Sequence, residues 1–325
     1  MNPRDRARQL YFEAATRTGR LRRMRDALVR DGALVVLNLH RVSPDPSPYW
    51  PPLHPRLFEE LLGFLAREAR LVTFADLGSV DPAPDRPLVV LSFDDGYNDF
   101  VEYAMPVLDR FGVRVNQNVV PGATLSGRPP WTVQLSDFLA AAPAGVLAAI
   151  RLPGADLPPV TGDGPLAQAR FGAALSGHLK SLPRPERLAH WEELQPLFEQ
   201  VDVTPTQMMT VADIHEAAAH HEIGVHSFTH ESMALEDDGF FLDDFARCQD
   251  FFRDELALPL EIYAFPNGSY RPDQIALLQE RGIRHVLLVD ERASRPSAGV
   301  HPRFTFGAFS PAEVRLRALG WTRSA

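Results

Sequence analysis

Two short motifs in this chain together hold the residue types needed to bind a metal ion and move a proton. Ser92-Phe93-Asp94-Asp95-Gly96 closes one apolar run, and His226-Ser227-Phe228-Thr229-His230 closes another far downstream. Adjacent carboxylates before a glycine can put one acid on a cation and leave its neighbour free as a base. Two imidazoles four positions apart can complete the set, giving three protein ligands and an open position for water, as in hydrolytic zinc sites. Each motif alone has an ordinary reading. Asp-Asp-Gly makes a turn in any protein, and nine further histidines are present. Side chains alternate along a strand, so a division of labour between Asp94 and Asp95 is expected.

Such motifs need rigid elements behind them. Gly32 to Leu39 reads as a buried strand ending at His40, followed by an irregular loop set by Pro44, Pro46, Pro48, Pro51 and Pro52. Pro87 to Phe93 is a continuous apolar run, as a parallel strand shows when covered on both faces. Apolar stripes predict helices at about 56–68 and 98–111, with a strand from Val113 to Val120. Beyond residue 205 the spacing predicts a helix at 211–221 capped by Thr210, a strand from Glu222 to His226 and a helix at 238–256. It then predicts a strand from Glu261 to Phe265, a helix at 272–281, and strands at 285–289 and 303–306. Alternating strands and helices argue for an α/β fold with parallel strands. Residues 122–205 break the rhythm with many prolines and read as an insertion of loops and short helices at the rim of the site. Residues 1–30 form a separate segment, with 5–30 read as one basic amphipathic helix before a domain spanning 31–325.

With these residues in view, the chain resembles the polysaccharide deacetylase superfamily, also described by its NodB-homology domain and as carbohydrate esterase family 4. Residues 92–96 match the pattern [ST]-F-D-D-G, and 226–230 match H-[ST]-x-x-H. Ala264-Phe265-Pro266-Asn267-Gly268 is similar to the third motif of the exopolysaccharide-type subgroup. Leu37-Asn38-Leu39-His40-Arg41-Val42 is similar to that subgroup's opening, with Leu39 where an aromatic usually stands. The resemblance implies a distorted (β/α)7 barrel, with an N-terminal helix and the proline-rich insertion added. It implies a hydrolase acting on a non-peptide C–N bond: a metal-dependent deacetylase of an N-acetylated amino sugar in a polysaccharide or its precursor.

The resemblance also implies roles. Asp95, His226 and His230 are the metal ligands and Asp94 the general base. Zn2+ is the expected ion, though Co2+, Ni2+ and Fe2+ accept the same ligands. The metal lowers the pKa of bound water, and the main-chain N–H at Asn267 meets the developing oxyanion. Two departures shift other roles. Position 264 is Ala where the family often has an Arg that steadies the base, and Arg303 is the candidate to replace it. The family's late Leu-x-His motif is missing in that form, so His40 is the expected acid for the leaving amine, with His301 as runner-up. Two other readings stay open: hydrolysis of a cyclic amide or imide, and a catalytically silent sugar-binding protein.

Composition bounds these readings. A chain of 325 residues with 45% apolar residues can bury a full core, and a net charge of −9 excludes nucleic acid as a bulk partner. Cys248 is the single cysteine, which excludes an internal disulfide and a cysteine-based zinc site. Lys180 is the single lysine; near-exclusive use of arginine reflects a GC-rich genome and is read as uninformative about function. Residues 1–30 hold no apolar stretch of the length an export signal needs, so a cytoplasmic protein is expected. The helix at 5–30 is read first as packing against the barrel or a partner subunit, and the nine arginines of residues 1–30 give peripheral contact with the inner membrane face as the second reading. The oligomeric state is left open.

Overall fold

The computed structural model describes residues 3–45, 47, 50–81, 84–160 and 165–322. Met1 and Asn2 of the basic segment, Pro46 and Pro48 of the loop, and 161–164 of the insertion lie outside the described residues.

Among the described residues, nine strands form one sheet: β1 Leu34–Leu39, β2 Arg70–Leu71, β3 Leu88–Phe93, β4 Asn116–Val119, β5 Glu222–Val225, β6 Ile262–Ala264, β7 His285–Leu288, β8 Val300–Pro302 and β9 Phe304–Thr305. Their order is β8-β7-β6-β5-β4-β3-β1-β9, with β2 added to β3. All the ladders are parallel. This is the distorted, nearly closed α/β barrel expected. Every residue of β1 and β3 is buried, which explains their unbroken apolar runs. One residue, Arg303, separates β8 from β9, although the two strands end opposite sides of the order. The expected strand at 303–306 is therefore shorter, and β8 was not foreseen, because Val300-His301-Pro302 carries no apolar run.

Register sets the level of the chemistry. Leu39 pairs with Phe93, and the Asp94 N–H donates to the Leu39 carbonyl at 2.9 Å. Val119 pairs with Val225, and the His226 N–H donates to the Val119 carbonyl at 2.8 Å. His40, Asp94 and His226 thus leave β1, β3 and β5 at the C-terminal ends of the strands, where barrel enzymes build sites.

The basic segment is helical but in two pieces, α1 Pro3–Arg17 and α2 Arg20–Arg30. Gly19 adopts φ 68° between them, a left-handed conformation that ends a helix and favours glycine. Phe12 and Ala15 of α1 pack on Leu316 of a late helix. Around the barrel follow α3 Pro55–Glu68 and α4 Met105–Phe111, the latter preceded by a π-turn at Phe100–Ala104.

The insertion contains α5 Pro121–Ser126, α6 Trp131–Ala141, α7 Ala144–Leu147, α8 Pro165–Lys180 and α9 Arg184–Phe198. It has a small core of its own, with Trp131, Leu135, Phe138, Phe171, Leu175 and Leu194 buried together. The barrel resumes with α10 Val211–Ala218, α11 Asp238–Phe251, α12 Pro272–Glu280 and α13 Pro311–Arg317, which carries Leu316. Thr210 and Asp213 cap α10 reciprocally, as their spacing predicts. Among the described residues, no helix is long and apolar enough to cross a membrane.

If α1 is part of the folded core, Phe12→Ala should destabilise the protein by about 3 kcal/mol, the low end for a buried aromatic. Urea unfolding followed by circular dichroism measures this, and an unchanged midpoint would show α1 to be dispensable.

Candidate metal centre

Three lone-pair-bearing atoms converge where the first and second motifs meet. Asp95 Oδ1 lies 3.1 Å from His230 Nε2 and 3.4 Å from His226 Nε2. The His226 Nδ1–H donates to the Ala264 carbonyl at 2.9 Å, which leaves its Nε2 as the acceptor. His230 Nδ1 faces Thr132 Oγ1 of α6 at 3.4 Å, turning its own Nε2 inward. All three residues are buried, and Asp95 Oδ1 takes no hydrogen bond. One ligand atom from each residue fits within 4.8 Å of the others. Acceptors facing one another out of water repel, so a cation is what this donor set accommodates, and the three residues fit a divalent ion. Burial pushes the His226 imidazolium down to about 4, against the pull of Asp94 and Asp95, so the ring is neutral and ligand-competent near pH 7.

Asp94 has a different environment. Arg303 clasps its carboxylate with two hydrogen bonds, Nη1 to Oδ1 at 2.8 Å and Nη2 to Oδ2 at 2.7 Å. Asn118 of β4 donates to Oδ1 at 2.8 Å. Arg303 also donates to the Leu288 carbonyl at 3.2 Å and to Ser92 Oγ at 3.1 Å. Burial pushes the Asp94 carboxyl up, but the Arg303 guanidinium and His226 overcome it and hold the group at about 2. The charged Asp94 Oδ2 sits 3.9 Å from His226 Nε2, beside the metal set but outside it.

The backbone around these groups is unusual. Asp95, Ser227, His230 and Asn267 all have positive φ, between 57° and 77°. Conformations of this kind cost of order 1 kcal/mol or more each and persist only where surrounding contacts hold them. Here Asp244 of α11, itself buried, accepts from the Phe228 and Thr229 N–H groups and from Thr229 Oγ1. Ser227 Oγ accepts from the His230 N–H at 2.8 Å. Gly122 donates to the Phe228 carbonyl at 3.1 Å, and a β-carbon at 122 would stand 2.5 Å from that oxygen.

These residues line a cleft of about 200 Å3 at the C-terminal ends of the strands. His40 and Asn267 are on its wall with Asp94, Asp95, His226 and His230. His40 packs edge-on against Trp50, ring centroids 5.7 Å apart. His301 is not there: it is fully buried, with Nδ1 on Ser294 Oγ at 2.9 Å and Nε2 on His285 at 3.1 Å. A larger cavity of about 820 Å3 opens at the strands' N-terminal ends, near Leu88, Glu222 and Ile262, away from this chemistry. Sequence reading missed Asn118, Asp244, Thr132, Tyr97 and Lys180. Tyr97 and Lys180 both line the cleft, Lys180 from the end of α8. For Tyr97 the signal was its place directly after the Asp-Asp-Gly turn.

A family model described as polysaccharide deacetylase matches residues 204–286, the stretch that carries His226, His230 and the Phe265–Gly268 turn. Among solved structures, the chain is similar to the Streptococcus pyogenes deacetylase PplD, at 14% identity over 88% of this chain and 98% of that one, with a TM-score of 0.57. It is similar to IcaB from Ammonifex degensii, at 19% identity over 89% and 97%, TM-score 0.54. A de-N-acetylase from Aggregatibacter actinomycetemcomitans matches at 14% identity over 87% and 100%, TM-score 0.54. At these identities the structures establish the fold, and the family match covers the second and third motifs. The chain is similar to the polysaccharide deacetylase superfamily in its fold, in this matched stretch and in its motifs. No curated protein matches its sequence. The site has one clear peculiarity. Ala264 carries only a methyl group, and the guanidinium on Asp94 comes from Arg303, between β8 and β9.

Arg303→Met should leave Asp94 buried without its counter-charge and cost about 3–5 kcal/mol, the usual penalty for breaking a buried pair from one side. Adding Asp94→Leu should restore much of that stability. Urea titrations of the wild type and the two variants test this, and an Arg303→Met protein as stable as wild type would refute the role given to the pair.

Proposed function

We propose that the protein is a metal-dependent deacetylase that hydrolyses the N-acetyl amide of an amino sugar, in a polysaccharide or in its precursor. One observation carries the reading: Asp95, His226 and His230 turn three acceptor atoms onto one point, directly beside an ionised Asp94 held outside the set. A carboxylate with two imidazoles suits Zn2+ and also Co2+, Ni2+ or Fe2+. When bound, such an ion acts as a Lewis acid toward an acyl oxygen and lowers the pKa of water.

The chain's own residues supply the rest. Asp94 accepts the proton of the attacking water, and Arg303 keeps that carboxylate ionised and fixed in direction. The main-chain N–H of Asn267, at a cleft-lining turn with φ 57°, donates to the oxygen on which charge develops. His40 protonates the departing amine, which leaves poorly as an anion. Its place in the cleft favours it over His301, whose two ring nitrogens are already engaged.

Elemental analysis of the purified protein and assay of free amine from N-acetylglucosamine oligomers test the reading together. Metal with amine release is expected. Metal without release on these oligomers would favour hydrolysis of a different C–N bond, and neither would favour a silent sugar-binding protein. Asp95→Ala, His226→Ala and His230→Ala should each lose the metal and the activity while staying folded. Full metal occupancy in any of them would remove that residue from the set.

Asp94→Asn should keep the metal but lose about 10²–10⁴-fold in turnover, the usual effect of removing a general base. Near-normal turnover at neutral pH would pass that role to another group.

The expected membrane contact is a separate part of the proposal. It is motivated by exposed Arg17, Arg22 and Arg23, together with exposed Leu10 and Tyr11. On this reading the enzyme works in the cytoplasm, peripherally at the inner membrane face. Flotation with anionic liposomes should carry the full chain at low salt and release it at high salt through screening. A chain that stays soluble at low salt would end the membrane reading.

A further inference from the structure

Lys180 is the only lysine in the chain, and the fold delivers it to the cleft. It ends α8, one turn beyond the buried Ser176, which also lines the cleft. The residue is partly buried, and no ion pair joins it to a carboxylate among the described residues. Burial pushes its pKa down while the Asp95 carboxylate pulls it up.

Neighbouring acids are committed elsewhere. Glu231 is bonded by Arg187, with Arg184 at 3.8 Å. Asp94 is clasped by Arg303, and Asp99 takes Arg41 at 2.7 Å. A divalent ion in the proposed site would claim the charge of Asp95. Lys180 would then be a partly desolvated ammonium with no counter-charge among the described residues, in a cleft that holds an excess of positive charge. An ammonium in that position is favourable only when paired. A ligand that carries an anion would supply that partner.

We propose that Lys180 is a specificity-determining residue that selects saccharides bearing an anionic group, a phosphate or a carboxylate, close to the acetamide. This rests on the deacetylase reading above. A lysine ammonium, compact and with three rotatable donors, suits either anion as a point charge. Because Lys180 belongs to the insertion, this selectivity would be a property that residues 122–205 add to the barrel.

The test compares N-acetylglucosamine 1-phosphate, N-acetylmuramic acid and a neutral N-acetylglucosamine oligomer on the metal-loaded full chain. For the wild type, kcat/KM should be higher on at least one charged sugar than on the neutral one, and which charged sugar leads distinguishes phosphate from carboxylate. In Lys180→Met the ratio of charged to neutral kcat/KM should fall about tenfold or more, chiefly through KM, as expected for loss of one charge-assisted contact. Lys180→Arg should keep most of the preference. A second readout avoids turnover: calorimetry on metal-loaded Asp94→Asn should show tighter binding of the preferred charged sugar, and Asp94→Asn with Lys180→Met should lose that advantage. Equal affinity for charged and neutral sugars, or a parallel loss on all three in Lys180→Met, would overturn the proposal. Amine release from the neutral oligomer with no gain on either charged sugar would overturn it and leave the deacetylase reading standing. No amine release from any of the three, with metal bound, would overturn that reading and this inference with it.

Discussion

A carboxylate sealed from water is unfavourable unless a cation and hydrogen bonds replace its hydration, and in this barrel that exchange is made between Asp94 and Arg303. Both side chains are essentially inaccessible to solvent. The guanidinium answers both carboxylate oxygens and also ties the Leu288 carbonyl and Ser92 Oγ. Arg303 stands between β8 and β9, the two ends of the strand order, so one ion pair fixes the candidate base and spans the seam of the barrel. The metal set depends on it indirectly. Asp95 can turn toward His226 and His230 because its neighbour is held the other way, as alternation and the positive φ at Asp95 allow.

The histidine loop shows a second balance, between strain and support. His230 and Ser227 have left-handed backbone, and the carboxylate of Asp244 gathers the N–H groups of the two residues between them. The insertion adds to this support. Thr132 faces His230, Arg187 pairs with Glu231 next to it, and Gly122 bonds the Phe228 carbonyl. A segment with its own small core is therefore fastened to the loop that carries two candidate metal ligands.

What could be read from the sequence follows from how local each signal is. β1 and β3 were legible because a strand covered on both faces must be apolar throughout, and the two motifs were legible because their ligands are close in sequence. His40 followed from the end of such a strand. Gly19 was overlooked because apolar spacing continues across it, although glycine in a left-handed turn ends α1. β8 was missed because it reads His301 and Pro302 where an apolar run was sought. Arg303 could be suspected but not placed, since its partner lies over two hundred positions away and no local pattern encodes that meeting. Lys180 looked like an accident of composition for the same reason: only the packing of the insertion carries it to the cleft. Asp244 gave no signal beyond being one acid among many on a helix.

The seam has a temporal side as well. β1 is made early but finds β9, through Leu37 and Phe304, only once nearly the whole barrel has been synthesised. Until then one edge of β1 offers unpaired backbone groups to any passing strand. Asp94 meanwhile awaits the cation that lets it be buried. Pairings so distant in sequence close slowly, and partly built barrels of this kind are prone to associate. Nascent chains would therefore be most vulnerable just before residue 303 emerges, and chaperone demand should be concentrated in the interval that precedes it.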